Sequence, residues 1–231
     1  MIVTLSRQSG TDGDDIAARV AGALGLTVIE REVVRAAAIK ADIPEEYLGR
    51  LLYEARRSMA GEILDSIGGP PPPRGRSHVP MSEPLSGIFS PPLAPGSASL
   101  AEAARAVGRI IVELAEAQPA LIVGQGGQAL LRGRPGVFHA LLVAPLEERV
   151  RRVMRATGQS APAARRSVRS TDAARSEFLA RFHNINWDDP DLYHVIINMG
   201  MAAPEAAAAM IVAGARSLEE RRPAWRGGHP S

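Results

Sequence analysis

Met1-Ile-Val-Thr-Leu-Ser-Arg-Gln-Ser-Gly-Thr-Asp-Gly-Asp-Asp15 opens the chain and reads as a strand, a glycine turn and a helix start. The apolar run Ile2 to Leu5 suits a strand buried on both faces. Gly10 and Gly13 permit a tight turn, and Ile16-Ala-Ala-Arg-Val-Ala-Gly-Ala-Leu24 carries helical spacing. A turn that feeds a helix N-terminus presents unpaired backbone amides and the positive end of the helix dipole, which together cradle phosphate. The usual phosphate-binding sequence, G-x-x-x-x-G-K-[ST], adds a lysine for the outer phosphates and a hydroxyl for magnesium. Here Gly13 and Asp14 take the positions of its second glycine and its lysine. Lys40 is the only lysine in the chain, so a point charge at the phosphates has to come from arginine.

Outward from that stretch, the chain alternates apolar runs with helical spacing. Leu26 to Ile29 is a short strand, followed by Glu30-Arg31-Glu32 and a helix to about Lys40. Pro44 suits the first turn of another helix, and Leu48, Leu51, Leu52, Ala55, Met59, Ile63 and Ile67 keep one apolar face along it. Gly68 and Gly69 end it. The stretch from Pro70 to about Ser97 holds nine prolines without a period, too few apolar groups to bury, and reads as a stiff loop. Ser99-Leu-Ala-Glu102 is a capping box for a helix that turns Val107, Ile110, Ile111 and Leu114 inward.

Ala120 to Val123 is a second buried strand, and Gly124-Gln-Gly-Gly127 turns into a short helix over Ala129 to Leu131. Val137 to Val143 is a third strand. Leu146 to Thr157 and Ala161 to about Arg181 are helical, His194 to Ile197 is the last strand, and Pro204 to Ser217 the last helix. Continuous apolar strands alternating with helices predict an α/β fold, a parallel sheet with helices on both faces. Ligands of such sheets bind beyond the carboxyl ends of the strands, where the glycine turns after Leu5 and Val123 both lie.

Composition narrows the function classes. The chain of 231 residues suits one α/β domain with an inserted subdomain, and its 45% hydrophobic content supports a core that few aromatics enter. There is no cysteine, which excludes disulfides, thiolate metal sites and cysteine nucleophiles. No apolar stretch approaches the roughly 20 residues that span a bilayer. With no leader ahead of the first strand, the expectation is a cytoplasmic protein with no membrane partner. His78, His139, His183, His194 and His229 lack ligand spacing, and His139 inside an apolar strand reads as a core histidine. Ser6, Ser9 and Thr11 have no paired histidine for a hydrolase triad. Trp187-Asp-Asp189 with Tyr193 reads as a lid hinge or a packed turn, with packing the favoured reading.

Charge is uneven although the net value is only +2. Nine arginines lie between Arg149 and Arg181 against two acids, Asp172 and Glu177. The cluster suits a polyanionic ligand such as a nucleotide. RNA fits less well, because only Phe178 and Phe182 stand near to stack on bases.

Together these stretches resemble the cytidylate kinase-like family of the P-loop nucleoside monophosphate kinase superfamily. The likeness rests on Ile2 to Gly13, Val28 to Val33, Ile122 to Gly126, Phe138 to Arg149 and Thr171 to Arg175. It is completed by Phe182-His-Asn-Ile-Asn-Trp-Asp-Asp-Pro-Asp-Leu-Tyr-His-Val-Ile-Ile-Asn198. The resemblance implies a P-loop NTPase-like core over 1–29, 98–148 and 190–220. A helical monophosphate-binding insertion would occupy 30–97, with its proline-rich loop at 68–97, an arginine-rich lid 149–189, and a flexible tail 221–231.

It also implies ATP and magnesium as cofactors. The loop residues Ser6, Gln8, Ser9, Gly10, Thr11, Asp12, Gly13 and Asp14 would hold the donor phosphates, with Thr11 and Asp14 near the magnesium. Arg31 and Gln125 would join the nucleotide site. Arg152 and Arg155 would lead into a lid carrying Arg165, Arg166, Arg169 and Arg175. Arg7, Arg169 and Arg175 would act on the transferred phosphoryl group, and Asp172 would orient Arg175 through a carboxylate–guanidinium pair. The function implied is ATP-dependent phosphorylation of a nucleotide such as CMP.

The chain departs from the family pattern at telling places. Asp12 replaces a glycine, Asp14 and Asp15 follow it, and Gln125 stands where an arginine is usual. Three carboxylates beside a triphosphate repel it unless magnesium bridges them; alternatively, they only complement the helix N-terminus. A nucleotide-binding or regulatory protein that has lost transfer is therefore the second expectation.

Overall fold

The computed structural model describes residues 1–44, 47–48, 51 and 100–221. Five strands form one sheet: β1 (Ile2–Arg7), β2 (Thr27–Ile29), β3 (Ala120–Val123), β4 (Val137–Val143) and β5 (Val195–Asn198). Their order is β2-β3-β1-β4-β5, and every pairing is parallel. This is the parallel α/β sheet that the continuous apolar runs predict.

Period-two alternation divides the strands between two cores. Val3, Leu5, Leu121, Val123, Phe138, Ala140 and Leu142 face α1 (Gly13–Leu24) and, near the C-terminus, Pro204–Glu220. Ile29, Ala120, Ile122 and Val137 face α2 (Arg31–Lys40) and α3 (Leu100–Glu116). Helices thus cover both faces. Leu48 and Leu51 are buried in the second core, as their spacing predicts. The rest of that helix, the proline-rich stretch and the tail from 222 lie outside the described residues, as does Ser99 of the capping box.

The remaining elements are α4 (Gly127–Leu130), α5 (Leu146–Thr157), α6 (Ala161–His183), a 3-10 turn at Pro190–Leu192 and α7 (Pro204–Glu220). Several boundaries move from their predicted places by one to three residues. The short helix starts at Gly127, because left-handed Gly126 (φ 72°) ends the turn there. The last strand starts at Val195, although the His194 amide still donates to the His139 carbonyl at 2.8 Å. The last helix runs on to Glu220. Among the described residues no helix is long and apolar enough to cross a membrane.

His139 is the core histidine its setting predicts. Thr4 Oγ1 lies 2.7 Å from His139 Nδ1, and the His139 amide donates to His194 Nδ1 at 3.0 Å. Burial, with His194 close by, pushes the His139 imidazole down to about 4, so it is neutral at pH 7.

Registers place the site. Leu5 of β1 pairs with Val123 of β3 and with Ala140 of β4. The two glycine turns therefore leave the same sheet edge side by side, at the carboxyl ends where open α/β sheets bind ligands.

Candidate functional site

The first turn is anchored at both ends. The Gln8 amide donates to the Leu142 carbonyl at 3.0 Å, and Gln8 Oε1 accepts the Ala144 amide at 3.1 Å. Thr11 is buried and its hydroxyl donates to the Gln8 carbonyl at 2.8 Å. Gly10 has φ 82°, and a Cβ there would lie 2.7 Å from the Arg149 carbonyl oxygen. Asp12 is also left-handed, at φ 56°. Glycine adopts that conformation freely, and aspartate is one of the few other residues that tolerate it.

The three acids of the turn do not crowd into it. Asp12 pairs with Arg152 at 3.2 Å, Asp14 with Arg7 at 3.0 Å, and Asp15 with Arg19 at 2.9 Å. Each carboxylate has its own arginine, and Asp14 and Asp15 also sit in the first turn of α1, where the helix dipole favours them. The repulsion expected from the sequence is thereby reduced. At Gly13 a Cβ would overlap Arg7 Cδ, so the Arg7 side chain lies across the start of α1.

Helix α6 reaches back onto this turn. Asp172 Oδ1 accepts the Ser9 amide at 2.8 Å, and its other oxygen pairs with Arg149. Arg149 is only 8% exposed; its Nε donates to the Ala144 carbonyl at 2.9 Å and its Nη1 to the Ser9 carbonyl at 3.3 Å. Arg175 donates to the Arg7 carbonyl at 2.7 Å. The resemblance implies Asp172 as the partner of Arg175, and the two form a long ion pair at 3.8 Å. Asp172 also ties Arg149 and Ser9 together at shorter range, because Arg149 is held against the loop by its backbone contact with Gly10.

A cavity of about 250 Å³ opens at the sheet edge beside the turn. Ser6, Arg7, Asp14, Arg31, Gln125 and Arg175, all expected from the sequence, line it. Three guanidiniums (Arg7, Arg31, Arg175) thus meet three carboxylates (Asp14, Glu30, Glu32) on its walls. Burial, aided by Glu32 and Asp14, pushes the Glu30 carboxyl above its ordinary range. The second turn, Gly124-Gln125-Gly126, is left-handed throughout, with φ 72°, 55° and 72°. A Cβ at Gly126 would meet His183 Nε2 at 2.9 Å, so glycine lets α6 close on the turn.

Other expected residues lie apart from the cavity. Arg152 donates to the Met199 carbonyl at 2.6 Å beside Asp12. Arg165 is held by two 2.6 Å bonds to Glu147, and Arg155, Arg166 and Arg169 are exposed. Arg149 stands among the clustered arginines without a role of its own in the sequence, and Gln128 carries no sequence signal pointing to the site. The Tyr193 hydroxyl donates to the Trp187 carbonyl at 2.8 Å, the packed turn that was expected, yet Trp187 also lines the cavity.

The residues fit a nucleotide's phosphates better than they fit a protein-held metal. Gly10 and Gly13 bring backbone close to arginine, and the α1 amides open beside them. Among the described residues there is no cluster of three or more metal-ligating side chains. The Thr11 hydroxyl turns into the loop, while the exposed Asp14 carboxylate stands on the cavity wall. Magnesium keeps most of its shell as water and phosphate oxygen and is typically held by only one or two protein carboxylates, a part Asp14 could take.

Comparison with known proteins agrees with this geometry. The family profile described as the cytidylate kinase-like family matches residues 2–201, and the chain belongs to that family. Its coarse function is accordingly nucleotide-kinase-like. Among solved structures, an uncharacterized protein from Eubacterium ventriosum ATCC 27560 is similar over 96% of this chain and 99% of its own. The TM-score is 0.63 and the identity 16%, a likeness of fold. A gluconokinase from Sinorhizobium meliloti 1021 covers 94% of this chain and 93% of its own at 13% identity and TM-score 0.46. TT1252 from Thermus thermophilus covers 96% and 98% at 20% identity and TM-score 0.45; neither score is high enough to carry an argument. No curated protein matches the chain.

Proposed function

We propose that the chain is an ATP-dependent nucleoside monophosphate kinase in which arginine does the work of the absent loop lysine. The observation that carries this reading is the meeting of Arg7, Arg31 and Arg175 on one cavity beside the Gly10–Gly13 turn. Phosphoryl transfer asks little covalent help of a protein; it needs in-line placement and positive charge around the equatorial oxygens. Guanidiniums supply that charge in a fork that matches phosphate oxygens.

In this reading the turn from Gln8 to Asp14 holds the donor phosphates, with Arg152 beside it. Arg31 and the segment from Glu30 hold the acceptor. Arg7 lies between the two and Arg175 closes over them from the lid, with Arg169 following as that helix moves. Asp172 fixes the lid to the loop through Arg149 and Ser9. Magnesium, brought with ATP and adjoining Asp14, supplies further positive charge when bound.

The deciding measurement follows diphosphate formation from ATP, magnesium and a panel of monophosphates. Arg175→Ala is expected to lower turnover by roughly 10²–10³-fold; unchanged turnover in an active background overturns the role of the lid arginine. A second reading, a nucleotide-binding protein without transfer, is favoured by Asp14 at the lysine position and by Asp172 on the Ser9 amide. Calorimetric binding of ATP and CMP with no diphosphate formed supports that second reading.

A further inference from the structure

Gln128, on α4, is 2% exposed, yet its side chain forms part of the cavity wall. Its Oε1 is shielded from solvent and has no hydrogen-bond partner among the described residues. Buried carbonyl oxygens are nearly always paired, so an orphan on a cavity wall marks a place where something else completes the bond.

The neighbours fix which end of the amide is orphaned. The Tyr193 hydroxyl has one proton, and it is committed to the Trp187 carbonyl at 2.8 Å. The side chains of Ser6 and Gln128 lie against the same phenol oxygen. That oxygen can only accept from them, so Gln128 turns its N–H toward Tyr193 and its carbonyl away. Gln128 thus joins Ser6 and Gln125 among the uncharged polar side chains of a wall that also carries three guanidiniums and three carboxylates, and its carbonyl is the end left unpaired.

An acceptor repels phosphate, whose oxygens are acceptors too, and the guanidiniums of Arg7, Arg31 and Arg175 attract it. The cavity therefore has polarity: anion toward the arginines, hydrogen-bond donor toward Gln128. Building on the nucleotide-kinase reading, we propose that Gln128 Oε1 selects the acceptor nucleotide by receiving a hydrogen bond from an uncharged N–H or O–H of its nucleoside portion. In CMP the exocyclic amine of the base and the 2′-hydroxyl of the sugar carry that chemistry, and UMP and dCMP each remove one of them.

Calorimetric titration of the full chain with CMP, UMP and dCMP distinguishes them. Wild type is expected to bind CMP about tenfold more tightly than one of the other two. A deficit for UMP names the amine; a deficit for dCMP names the 2′-hydroxyl. Gln128→Met, close in shape but without the acceptor, is expected to erase that preference by weakening CMP alone. Gln128→Glu, which keeps an acceptor oxygen, is expected to retain it and serves if the methionine variant fails to fold. Equal wild-type affinity for all three, a preference that survives Gln128→Met, or an equal loss for all three overturns the proposal. If wild type binds none of the three, the kinase reading fails first and this inference falls with it.

Discussion

Asp172 of α6 holds the Ser9 amide of the first glycine turn at 2.8 Å, so a carboxylate of the chain occupies one of the turn's own N–H groups. Its second oxygen neutralises Arg149, and both partners of that pair are largely shielded from water. Removing one member of such a pair leaves a desolvated charge without its counterion. Asp172→Ala is therefore expected to cost about 3 kcal/mol, read as a lower urea midpoint with an unchanged slope. A midpoint equal to wild type shows that the latch does not form in solution.

Gly10 makes the other half of that latch. It is left-handed and faces the Arg149 backbone, which cannot swing aside as a side-chain tip can. Gly10→Ala carries roughly 1–2 kcal/mol of conformational cost before any overlap is relieved. The variant is expected to lose stability by at least that amount and to bind ATP more weakly, because the turn must open away from α5. Wild-type affinity for ATP in a folded Gly10→Ala chain contradicts the assignment of this turn to the phosphates.

Stability should respond to pH through the histidines. Burial lowers His139 to about 4 and also lowers His183 and His194, so the folded chain holds them neutral. Unfolded, they titrate near 6.5 and bind protons that the folded state refuses. For His139 the contribution is fully present above about pH 6.5 and declines as pH falls toward 4, by up to about 1.4 kcal/mol per pH unit, and His183 and His194 act in the same direction. Glu30, raised by burial, works in the opposite direction nearer pH 4.5. Thermal unfolding at pH 7.5 and pH 5.5 checks this, with the lower melting temperature expected at pH 5.5; equal values contradict it.

The parts of this fold that can be read from the chain are those that local chemistry dictates. Ile2 to Leu5 and Ala120 to Val123 read as buried parallel strands because both their faces are apolar. Gly10, Gly124 and Gly126 read as turns, and all three are left-handed. Arg149 is different. It stands in a helix with five arginines or glutamates around it and looks like part of a solvated face. Its burial depends on Gly10, some 140 positions away, approaching its backbone. Gln128 is equally opaque, since its orphan carbonyl follows from a phenol proton that Trp187 has already taken. Partner choice within a cluster is a tertiary outcome, which is why the sequence offers Arg175 as a partner of Asp172 and gives no sign of its closer partner, Arg149.

Arg7 and Gly13 offer the most direct test of how the chain manages without a loop lysine. The Arg7 side chain crosses the first residue of α1, and any Cβ at position 13 collides with Arg7 Cδ rather than with backbone. A flexible stem can move, so Gly13→Ala should leave the fold intact; alanine even favours the helix by about 1 kcal/mol. What it displaces is the guanidinium that reaches Asp14 at 3.0 Å and lines the cavity. Gly13→Ala is therefore expected to keep or raise the melting temperature while lowering turnover roughly tenfold or more. Arg7→Ala alone should lower turnover at least as far, and adding Gly13→Ala to it should cost nothing further. Contacting residues behave this way in double-mutant cycles, whereas independent ones add. Additive losses would mean that Gly13 serves the loop directly and that Arg7 does not stand in for the lysine.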